Sequence, residues 1–346
     1  MTGPALDRST DPMPAISVVE NMKAIIQDAY GTAPEAVLRL VEVARPAIGD
    51  DEILVRVAAA GVDRGTWHVM TGLPYAMRLA GFGLRTPNAP NPGRGLAGTV
   101  ESVGNAVTEF KAGDEVYGTC DGSFAQYARA KASKLAVKPS NLSFAQAAAV
   151  PISAPTALQA IRDKAKVQPG QLVLIVGASG GVGSFAVQIA KAFGADVTGV
   201  CSTAKIDLVR SLGADHVIDY THDDFADGAH RYDAIVDIAG NRRLSHLRRA
   251  LAPRGTLVIV GGETDGRWLG GFDRSLRAVA LSPFVSQKLA MLASSENSKD
   301  LSDVRELIES GKVTPAIDRS YALSDVPAAI RYLHEGHVQG KVVISL

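Results

Sequence analysis

The spacing of hydrophobic residues changes near residue 143 of this chain. Before that point, apolar residues form short runs separated by glycine and proline turns, a pattern typical of β-strands. The runs of this first part lie at residues 22–26, 36–40, 52–58, 96–103, 115–117 and 124–128. Short strands at such intervals predict a compact β-barrel.

From residue 143 onward, helical spacing and short apolar runs alternate. Ser143 and Gln146 stand at the positions of a helix N-cap and its capping-box partner, and they predict a helix there. Strands are then predicted at residues 172–176, 196–201, 216–218, 234–237 and 256–260, and helices at 184–193, 204–212 and 243–251. This alternation predicts an α/β fold with a doubly wound parallel sheet and helices on both of its faces.

The chain has 346 residues, which is longer than one typical hydrophobic core, so two domains are expected. Because short strands return after residue 317, the last part of the sequence is predicted to complete the first domain. The expected division assigns residues 22–148 and 290–346 to the β-rich domain and residues 149–289 to the parallel-sheet domain. Residues 1–21 are rich in Pro, Ser, Thr and Asp and are predicted to be a disordered leader.

Charge excludes some classes of partner. Basic and acidic residues number 36 each, so the chain has no net field that would hold nucleic acid or an anionic membrane. No apolar run approaches the length of a membrane span, and residues 1–21 lack the pattern of a secretory signal, so we expect a cytoplasmic protein without a membrane partner.

The two cysteines, Cys120 and Cys201, are expected to be small core residues rather than a redox pair.

The most informative stretch is a glycine-rich turn between the aliphatic run at 172–176 and the next predicted helix. The turn comprises Gly177, Ala178, Ser179, Gly180, Gly181, Val182 and Gly183, with three of its glycines spaced three residues apart. Glycine permits a turn that bulkier residues would block, and the helix that follows directs free backbone N–H groups towards it. The stretch therefore predicts the phosphate seat of a dinucleotide-binding βαβ unit.

Further motifs lie in a fixed order at residues 93–101, 113–117, 149–157, 177–183, 212–220 and 340–341. Together they resemble the medium-chain dehydrogenase/reductase superfamily, and within it the zinc-free quinone oxidoreductase-like branch. The resemblance extends over residues 22–346 and implies a GroES-like β-barrel catalytic domain beside a Rossmann domain that binds NADP(H). It also implies a homodimer joined through the edges of the Rossmann sheets, where residues 256–260 are expected to form the last parallel strand.

The zinc ligands of the metal-dependent branch are missing from this sequence. Their places are held by Asp63, Arg94 and Ile152, and neither an arginine nor an isoleucine can ligate zinc. The four closely spaced cysteines of a structural zinc lobe are also absent. His334 and His337 are better explained by a helix C-terminus, so no metal is expected.

The end of the second predicted strand favours NADP(H) over NAD(H). An NAD site has an acid there, whereas this sequence places Ser202, Thr203 and Lys205, which can bind a 2′-phosphate. The same residues would also fit a structural role, with Ser202 as a helix N-cap and Lys205 as a solvent-exposed lysine. The resemblance adds further cofactor contacts at Thr156, Tyr220, Gly240, Gly261, Gly262, Gly340 and Lys341.

Catalytic residues are expected in the stretch 62–69, where the superfamily gathers its contacts to substrate and nicotinamide. His68 stands at the place of a proton-donating side chain in relatives and is a candidate proton relay, although a single histidine is as often merely packed or solvated. Asp63 and Trp67 are the other candidates, and Asp63 replaces an asparagine that is common in the quinone branch.

The resulting hypothesis is a zinc-independent, NADPH-dependent oxidoreductase that passes a hydride to a quinone or a similar activated alkene or carbonyl, a small-molecule acceptor. Two alternatives remain open at this point. One is an NADPH-dependent carbonyl, alcohol or enoyl reductase. The other is an NADPH-binding protein without turnover, since the cofactor motif is much clearer than any acid–base pair.

Overall fold

A computed structural model of the chain describes residues 20–228, 230–262 and 266–346. The predicted leader lies outside these residues apart from Glu20 and Asn21, and Asn21 already begins the first strand. In the described part of the chain, no helix is long and apolar enough to cross a bilayer.

Most strands of the first part form one seven-stranded sheet. It contains β3 (Glu52–Val62), β4 (Gly95–Val103), β5 (Glu115–Thr119), β6 (Tyr127–Lys131), β7 (Leu135–Val137), β14 (Ile317–Ala322) and β15 (Lys341–Ser345). Strand β15 lies between β14 and β3 and pairs antiparallel with β3, with Val342 opposite Val62. The predicted return of the chain to its first sheet is therefore confirmed.

A smaller two-stranded sheet pairs β1 (Asn21–Ile26) with β2 (Arg39–Ala44). The prediction of a strand at residues 36–40 was wrong at its start, because Pro34–Val37 forms the short helix α1. Proline at the first helical position favours this helix, because its fixed φ suits the turn and its missing N–H is not needed there. The strand predicted at 124–128 also begins later, at Tyr127, and continues to Lys131.

The second part forms a six-stranded parallel sheet. Its strands are β8 (Leu172–Val176), β9 (Asp196–Cys201), β10 (His216–Asp219), β11 (Tyr232–Asp237), β12 (Leu251–Ile259) and β13 (Lys288–Met291). The order β10-β9-β8-β11-β12-β13 is that of a doubly wound sheet, as predicted. Aliphatic side chains from β8, β9 and β11 are completely buried between helices on the two faces.

The edge of this sheet differs from the prediction. Residues 256–260 were expected to be the last parallel strand, but β12 pairs on its outer side with β13, which becomes the edge. The predicted domain boundary between residues 289 and 290 falls inside this edge strand.

Helices cover both faces of the parallel sheet and close the ends of the seven-stranded one. The remaining α-helices are α2 (Arg64–Thr71), α3 (Tyr75–Met77), α4 (Phe144–Ala148), α5 (Ser153–Leu158), α6 (Gly181–Ala192), α7 (Ile206–Ser211), α8 (Leu244–Ala250), α9 (Phe272–Leu281), α10 (Ser298–Glu309) and α11 (Val326–His334). The predicted capping box at the start of α4 is present, since Ser143 and Gln146 exchange hydrogen bonds.

Candidate active site

A cleft runs between the two large sheets and contains two adjoining cavities. The first, of about 380 Å³, is called the acceptor cavity here, and the second, of about 430 Å³, is called the phosphate cleft. The residues that line both are Arg64, Gly181, Ile238, Leu333 and Gly340. One extended ligand could therefore occupy both cavities at once.

The phosphate cleft is built on the glycine-rich turn. Gly177 has φ of 87°, and a Cβ there would lie 3.0 Å from the backbone nitrogen of Ala239. A Cβ on Gly183 would lie 2.0 Å from the Gly177 carbonyl oxygen, so the turn closes tightly only with glycine at this place. Helix α6 begins directly afterwards with Gly180 as its N-cap, which leaves backbone N–H groups and the positive helix end for an anion.

The lining of the phosphate cleft is basic. Among the described residues that line it, Arg64, Lys205 and Arg242 are cationic, and none is acidic. The Lys205 ammonium donates to the Gly336 and Val338 carbonyls, both at 2.9 Å, and burial lowers its pKa. The cleft therefore suits a negatively charged ligand.

Ser202, Thr203 and Lys205 were expected around a 2′-phosphate, and two of them, Ser202 and Lys205, line the cleft. Ser202 and Tyr220 line it, and the Arg242 guanidinium lies 5.6 Å from the Tyr220 ring centroid. Thr203 does not, because its hydroxyl donates to Asp219 and holds the pKa of that carboxyl below its usual range. The pairing of β9 with β10 brings Asp219 beside Thr203, which the spacing along the sequence did not indicate.

Arg242 is the main residue of this cleft that the sequence analysis missed. It lies two residues after Gly240, in the loop that follows β11. A basic residue just beyond the carboxyl end of a parallel strand was the available signal, because ligands bind at that edge of such sheets.

The wall of the acceptor cavity contains a buried charged cluster. Lys341, only 2% exposed, donates to Asp63 and, at 3.1 Å, to the Ser153 hydroxyl. Ser153 in turn donates to the same Asp63 oxygen at 3.0 Å. Asp63 and Lys341 neutralise each other within the wall, and the pair connects the residue that follows β3 with the neighbouring strand β15.

His68 lines the acceptor cavity and is partly buried. Its Nδ1 lies 2.8 Å from the carbonyl oxygen of Leu73, and a carbonyl only accepts, so Nδ1 carries the proton. The neutral ring therefore has its basic nitrogen at Nε2. To release a proton from Nε2, the ring must first become an imidazolium.

Trp67, the neighbour of His68 in the sequence, does not line either cavity. Its side chain is 9% exposed and stacks on the His334 ring, with centroids 3.6 Å apart and planes inclined by 7°. His334 does line the phosphate cleft. The structure therefore places Trp67 behind the cleft wall, as a support for His334, and not at the position expected for a catalytic residue.

Thr156 lines the acceptor cavity from helix α5. Its hydroxyl donates to the Ile152 carbonyl at 2.7 Å and lies 3.0 Å from the Ser294 hydroxyl. Ser294 belongs to the segment that follows Met291 and Leu292, which also line the cavity. Thr156 thus links the beginning of the second part of the chain to its return segment.

The remaining predicted site residues divide by position. The phosphate cleft is lined by Gly177, Ser179, Gly180, Gly181, Ser202, Lys205, Tyr220 and Gly340. The acceptor cavity is lined by Asp63, His68, Thr156, Gly181, Val182, Gly261, Gly262, Gly340 and Lys341. Four predicted residues line neither cavity, namely Trp67, Gly183, Thr203 and Gly240.

Two segments from opposite sides of the cleft meet at the acceptor cavity. The backbone N–H of Tyr75 donates to the Arg267 carbonyl at 2.8 Å, and that of Ala76 to the Trp268 carbonyl at 3.1 Å. The rings of Tyr75 and Trp268 pack edge to face. Both segments contribute to the lining, through Pro74 on one side and Gly270 on the other.

The residues at the zinc positions do not fit a catalytic metal. The Arg94 guanidinium makes three hydrogen bonds to Glu296, at 2.8, 2.9 and 3.3 Å, and Ile152 offers no donor atom. Within the ranges that the structure describes, no group of three or more His, Cys, Asp or Glu side chains is arranged to hold a metal ion.

Known protein families match most of the chain. Residues 49–140 match the alcohol dehydrogenase GroES-like domain, and residues 212–344 match the family described as zinc-binding dehydrogenase.

Among relatives, a 2-methylene-furan-3-one reductase of Solanum lycopersicum is 34% identical over 95% of this chain and 80% of its own length. An NADPH-dependent alkenal/one oxidoreductase of Arabidopsis thaliana is 32% identical with the same coverage. The solved structure of a quinone oxidoreductase from Coxiella burnetii superposes with a TM-score of 0.83 at 29% identity, covering 94% of this chain and 100% of that one.

Proposed function

The chain belongs to the medium-chain dehydrogenase/reductase superfamily, in its quinone oxidoreductase-like branch, and is an oxidoreductase; we propose that it uses NADPH to reduce conjugated carbonyl compounds, either quinones or α,β-unsaturated aldehydes and ketones. The observation that carries the proposal is the contrast between the two adjoining cavities. One is basic and built on a phosphate-binding turn, and the other is mainly apolar, with Asp63 and Lys341 paired inside its wall and Arg64 shared with the first cavity.

The phosphate cleft supports the choice of NADPH. The glycine turn and the start of α6 suit the pyrophosphate, because their backbone N–H groups and helix dipole attract an anion. Lys205 and Arg242 suit the additional 2′-phosphate, and no lining residue of the described chain would repel it. One relative is named as NADPH-dependent, and another is named as an NAD(P)H oxidoreductase, which covers both nicotinamide cofactors.

The acceptor cavity supports a conjugated acceptor. Its lining includes Val62, Met77, Ile152, Phe272 and Leu292, and it suits a compact apolar molecule. Because Arg94 and Ile152 cannot hold a metal, no Lewis acid is available from these side chains for an oxyanion. Conjugation would spread the negative charge over the acceptor itself, which reduces the need for one.

In the proposed mechanism, the glycine turn, Lys205 and Arg242 would hold NADPH, which would supply a hydride to a carbon conjugated with the acceptor carbonyl. The electron pair that this carbon displaces moves to the carbonyl oxygen, and one proton completes the reduction. His68 lines the cavity and, as an imidazolium, can donate that proton. The Asp63–Lys341–Ser153 cluster fixes one part of the wall, and the contacts between the Tyr75 and Trp268 segments hold Pro74 and Gly270 at the cavity.

The test is to follow the absorbance of reduced nicotinamide while purified protein and NADPH are mixed with a benzoquinone, a straight-chain alkenal and a simple ketone. We expect turnover with the first two and much slower turnover with the ketone. Equal turnover with the ketone would make the protein a general carbonyl reductase. NADPH binding without turnover on any acceptor would make it a binding protein.

A matched pair of glycine variants tests whether activity depends on the phosphate cleft. Gly177→Val should abolish NADPH binding, because its side chain would push against Ala239 beside the turn. Gly113 has a similar φ of 93° and open space around it, in a turn of the other sheet. Gly113→Val should therefore carry the same backbone strain and leave NADPH binding intact.

We also propose that the protein is a homodimer. Strand β13 forms the edge of the parallel sheet, and helix α9 beside it exposes Phe272, Leu276 and Val279, which share one helical face. An open strand edge next to an apolar helix face is stabilised by a second copy of the same surface. Light scattering should return a dimer mass for the protein and for Leu79→Asp, a control at another exposed leucine, and a monomer mass for Leu276→Asp. A monomer mass for the unmodified protein at micromolar concentration would contradict the proposal.

A further inference from the structure

One arginine outside both cavities contacts the loops that form them. Arg274 lies on helix α9, and its side chain is 11% exposed. Its guanidinium forms an ion pair with Asp237, which is fully buried at the carboxyl end of strand β11. Burial raises the pKa of the Asp237 carboxyl, although Arg274 opposes this effect.

The same guanidinium also donates to two backbone carbonyls. Nη1 donates to the carbonyl of Arg242 at 2.9 Å, and Nη2 donates to the carbonyl of Gly261 at 3.1 Å. Asp237 completes the arrangement by accepting from the Gly240 N–H at 3.3 Å. The buried pair therefore holds the loop after β11 and the loop after β12 in fixed positions relative to each other.

These two loops serve different cavities. The side chain of Arg242 lines the phosphate cleft beside Tyr220, whereas Gly261 lines the acceptor cavity. An arginine can make all of these contacts because its planar guanidinium carries several N–H donors in fixed directions. A lysine ammonium can keep the charge of the ion pair, but its single nitrogen cannot reach carbonyls on both loops.

We propose that Arg274 is a positioning residue for cofactor specificity: it fixes the backbone of Arg242 so that the guanidinium of Arg242 faces the 2′-phosphate. The inference deepens the proposed function and depends on the preference for NADPH that was proposed above. Arg274 itself touches neither the cofactor nor the acceptor; it acts through the backbone of the loop that contains Arg242.

The experiment measures dissociation constants for NADPH and NADH by the fluorescence of the reduced nicotinamide in single and double variants. Arg274→Lys should raise the constant for NADPH by about tenfold and that for NADH by less than about threefold, because only NADPH brings a phosphate to Arg242. Arg242→Ala should reduce the preference for NADPH by a similar factor. The double variant should be no less selective than Arg242→Ala alone, since both changes remove the same contact.

A matched control lies on the same helix. Arg277 is exposed and pairs with Asp273 at 3.1 Å, without a contact to either loop. Arg277→Lys should leave both dissociation constants unchanged. Hydrogen exchange of the cofactor-free protein gives a readout independent of binding, and residues 238–242 should exchange faster in Arg274→Lys than in Arg277→Lys.

The outcomes separate this inference from the proposed function. If the unmodified protein binds NADPH and NADH equally, the proposed preference fails and the role of Arg274 fails with it. If the unmodified protein prefers NADPH and a folded Arg274→Lys variant keeps the same preference, only the inference about Arg274 is overturned. Additive losses of selectivity in the double variant would overturn it as well.

Discussion

The two cavities of the cleft treat charge in opposite ways. The phosphate cleft is lined by cationic side chains without an acidic one among its described residues, whereas the acceptor cavity contains a lysine that is neutralised by an aspartate in the same wall. The positive charge of the phosphate cleft, which no acidic side chain of its described lining opposes, suits a ligand with phosphate groups. The apolar part of the acceptor cavity, where Asp63 and Lys341 neutralise each other, suits an acceptor without charge, because such a molecule gains nothing from desolvating a free ion; Arg64 lines both cavities.

The contrast also predicts how a charge substitution would act in each cavity. In the phosphate cleft, reversing one charge should change the affinity for one class of ligand. In the acceptor cavity, removing one charge leaves its partner buried and unpaired, so the fold is affected first. Three changes test the two cavities and a fourth tests a charge cluster outside both, beginning with the change of largest expected effect.

The largest effect is expected when the buried pair in the acceptor cavity is broken. Lys341→Met would leave the Asp63 carboxylate without its partner and should lower the free energy of unfolding by about 3–5 kcal/mol. Urea denaturation measures the loss. The double variant Asp63→Asn/Lys341→Met has no unpaired charge and should recover most of the stability. A single variant as stable as the double one would show that the pair is not effectively buried.

The second change concerns the proton donor. His68→Phe should keep the fold and the affinity for NADPH but lower turnover by about a hundredfold with acceptors whose reduced anion is strongly basic, such as a simple ketone. The dependence of turnover on pH should flatten with it. With a quinone, whose hydroquinone anion is weakly basic, the loss should be only a few-fold.

Steady-state rates on both acceptors, with the exposed His337→Phe as a control, distinguish these cases. A few-fold loss on every acceptor, with the pH dependence preserved, would show that His68 only packs against the cavity.

The third change reverses a charge in the phosphate cleft. Lys205→Glu should raise the dissociation constant for NADPH by about tenfold to a hundredfold and change that for NADH much less, because only NADPH carries the dianionic phosphate. The exposed Lys312→Glu makes the same change of net charge outside the cleft and serves as the control. Equal losses for both cofactors would refute the assignment of Lys205.

The same lysine gives a pH dependence. Burial lowers the pKa of Lys205, so the ammonium loses its proton at a lower pH than an ordinary lysine does. The preference for NADPH over NADH should therefore decline as the pH rises into the alkaline range, and this decline should be absent in Lys205→Glu. Titrations of both cofactors across that range measure it.

The smallest effect is expected at a charge cluster away from both cavities. Burial alone would raise the pKa of Glu296, but Arg94 and Lys134 outweigh it and hold the pKa below its usual range. Glu296→Gln should lower the free energy of unfolding by about 1–2 kcal/mol at neutral pH, since a quarter of the side chain is exposed.

A carboxyl with a lowered pKa stabilises the fold above the ordinary carboxyl range and loses that contribution as the pH falls through the lowered value. The unfolding free energy of the unmodified protein should therefore decrease more steeply with acid than that of Glu296→Gln. Parallel curves for the two proteins would exclude this contribution.

The contrast between the cavities also explains what the sequence could predict. The glycine turn and the strand and helix around it were predicted because they occupy one continuous stretch, in which each residue's role follows from its neighbours. The succession of a β-rich part and a parallel-sheet part along the chain was predicted for the same reason. The capping box at Ser143 and Gln146 is likewise a local signal.

What was missed depends on distant pairing. Strand β13 has only four residues, too few for a recognisable period, and it exists because β12 pairs with it. The sequence around Thr203 was consistent with a phosphate site, but strand β10 brings Asp219 to the Thr203 hydroxyl. Arg274 lies in a helix between the parallel strands, and nothing near it in the sequence indicates Asp237 as its partner.

The position of strand β15 has a consequence for synthesis on the ribosome. The parallel sheet is continuous in sequence from β8 to β13, so it can assemble while the chain emerges. Strand β3 can pair early with β4 and β6, but its pairing with β15 must wait, because Lys341 follows its partner Asp63 by 278 residues. At about 5–20 residues per second, the part of the cleft that β15 completes stays open for roughly a quarter of a minute to one minute, and an unpaired strand edge is a site of aggregation during that time.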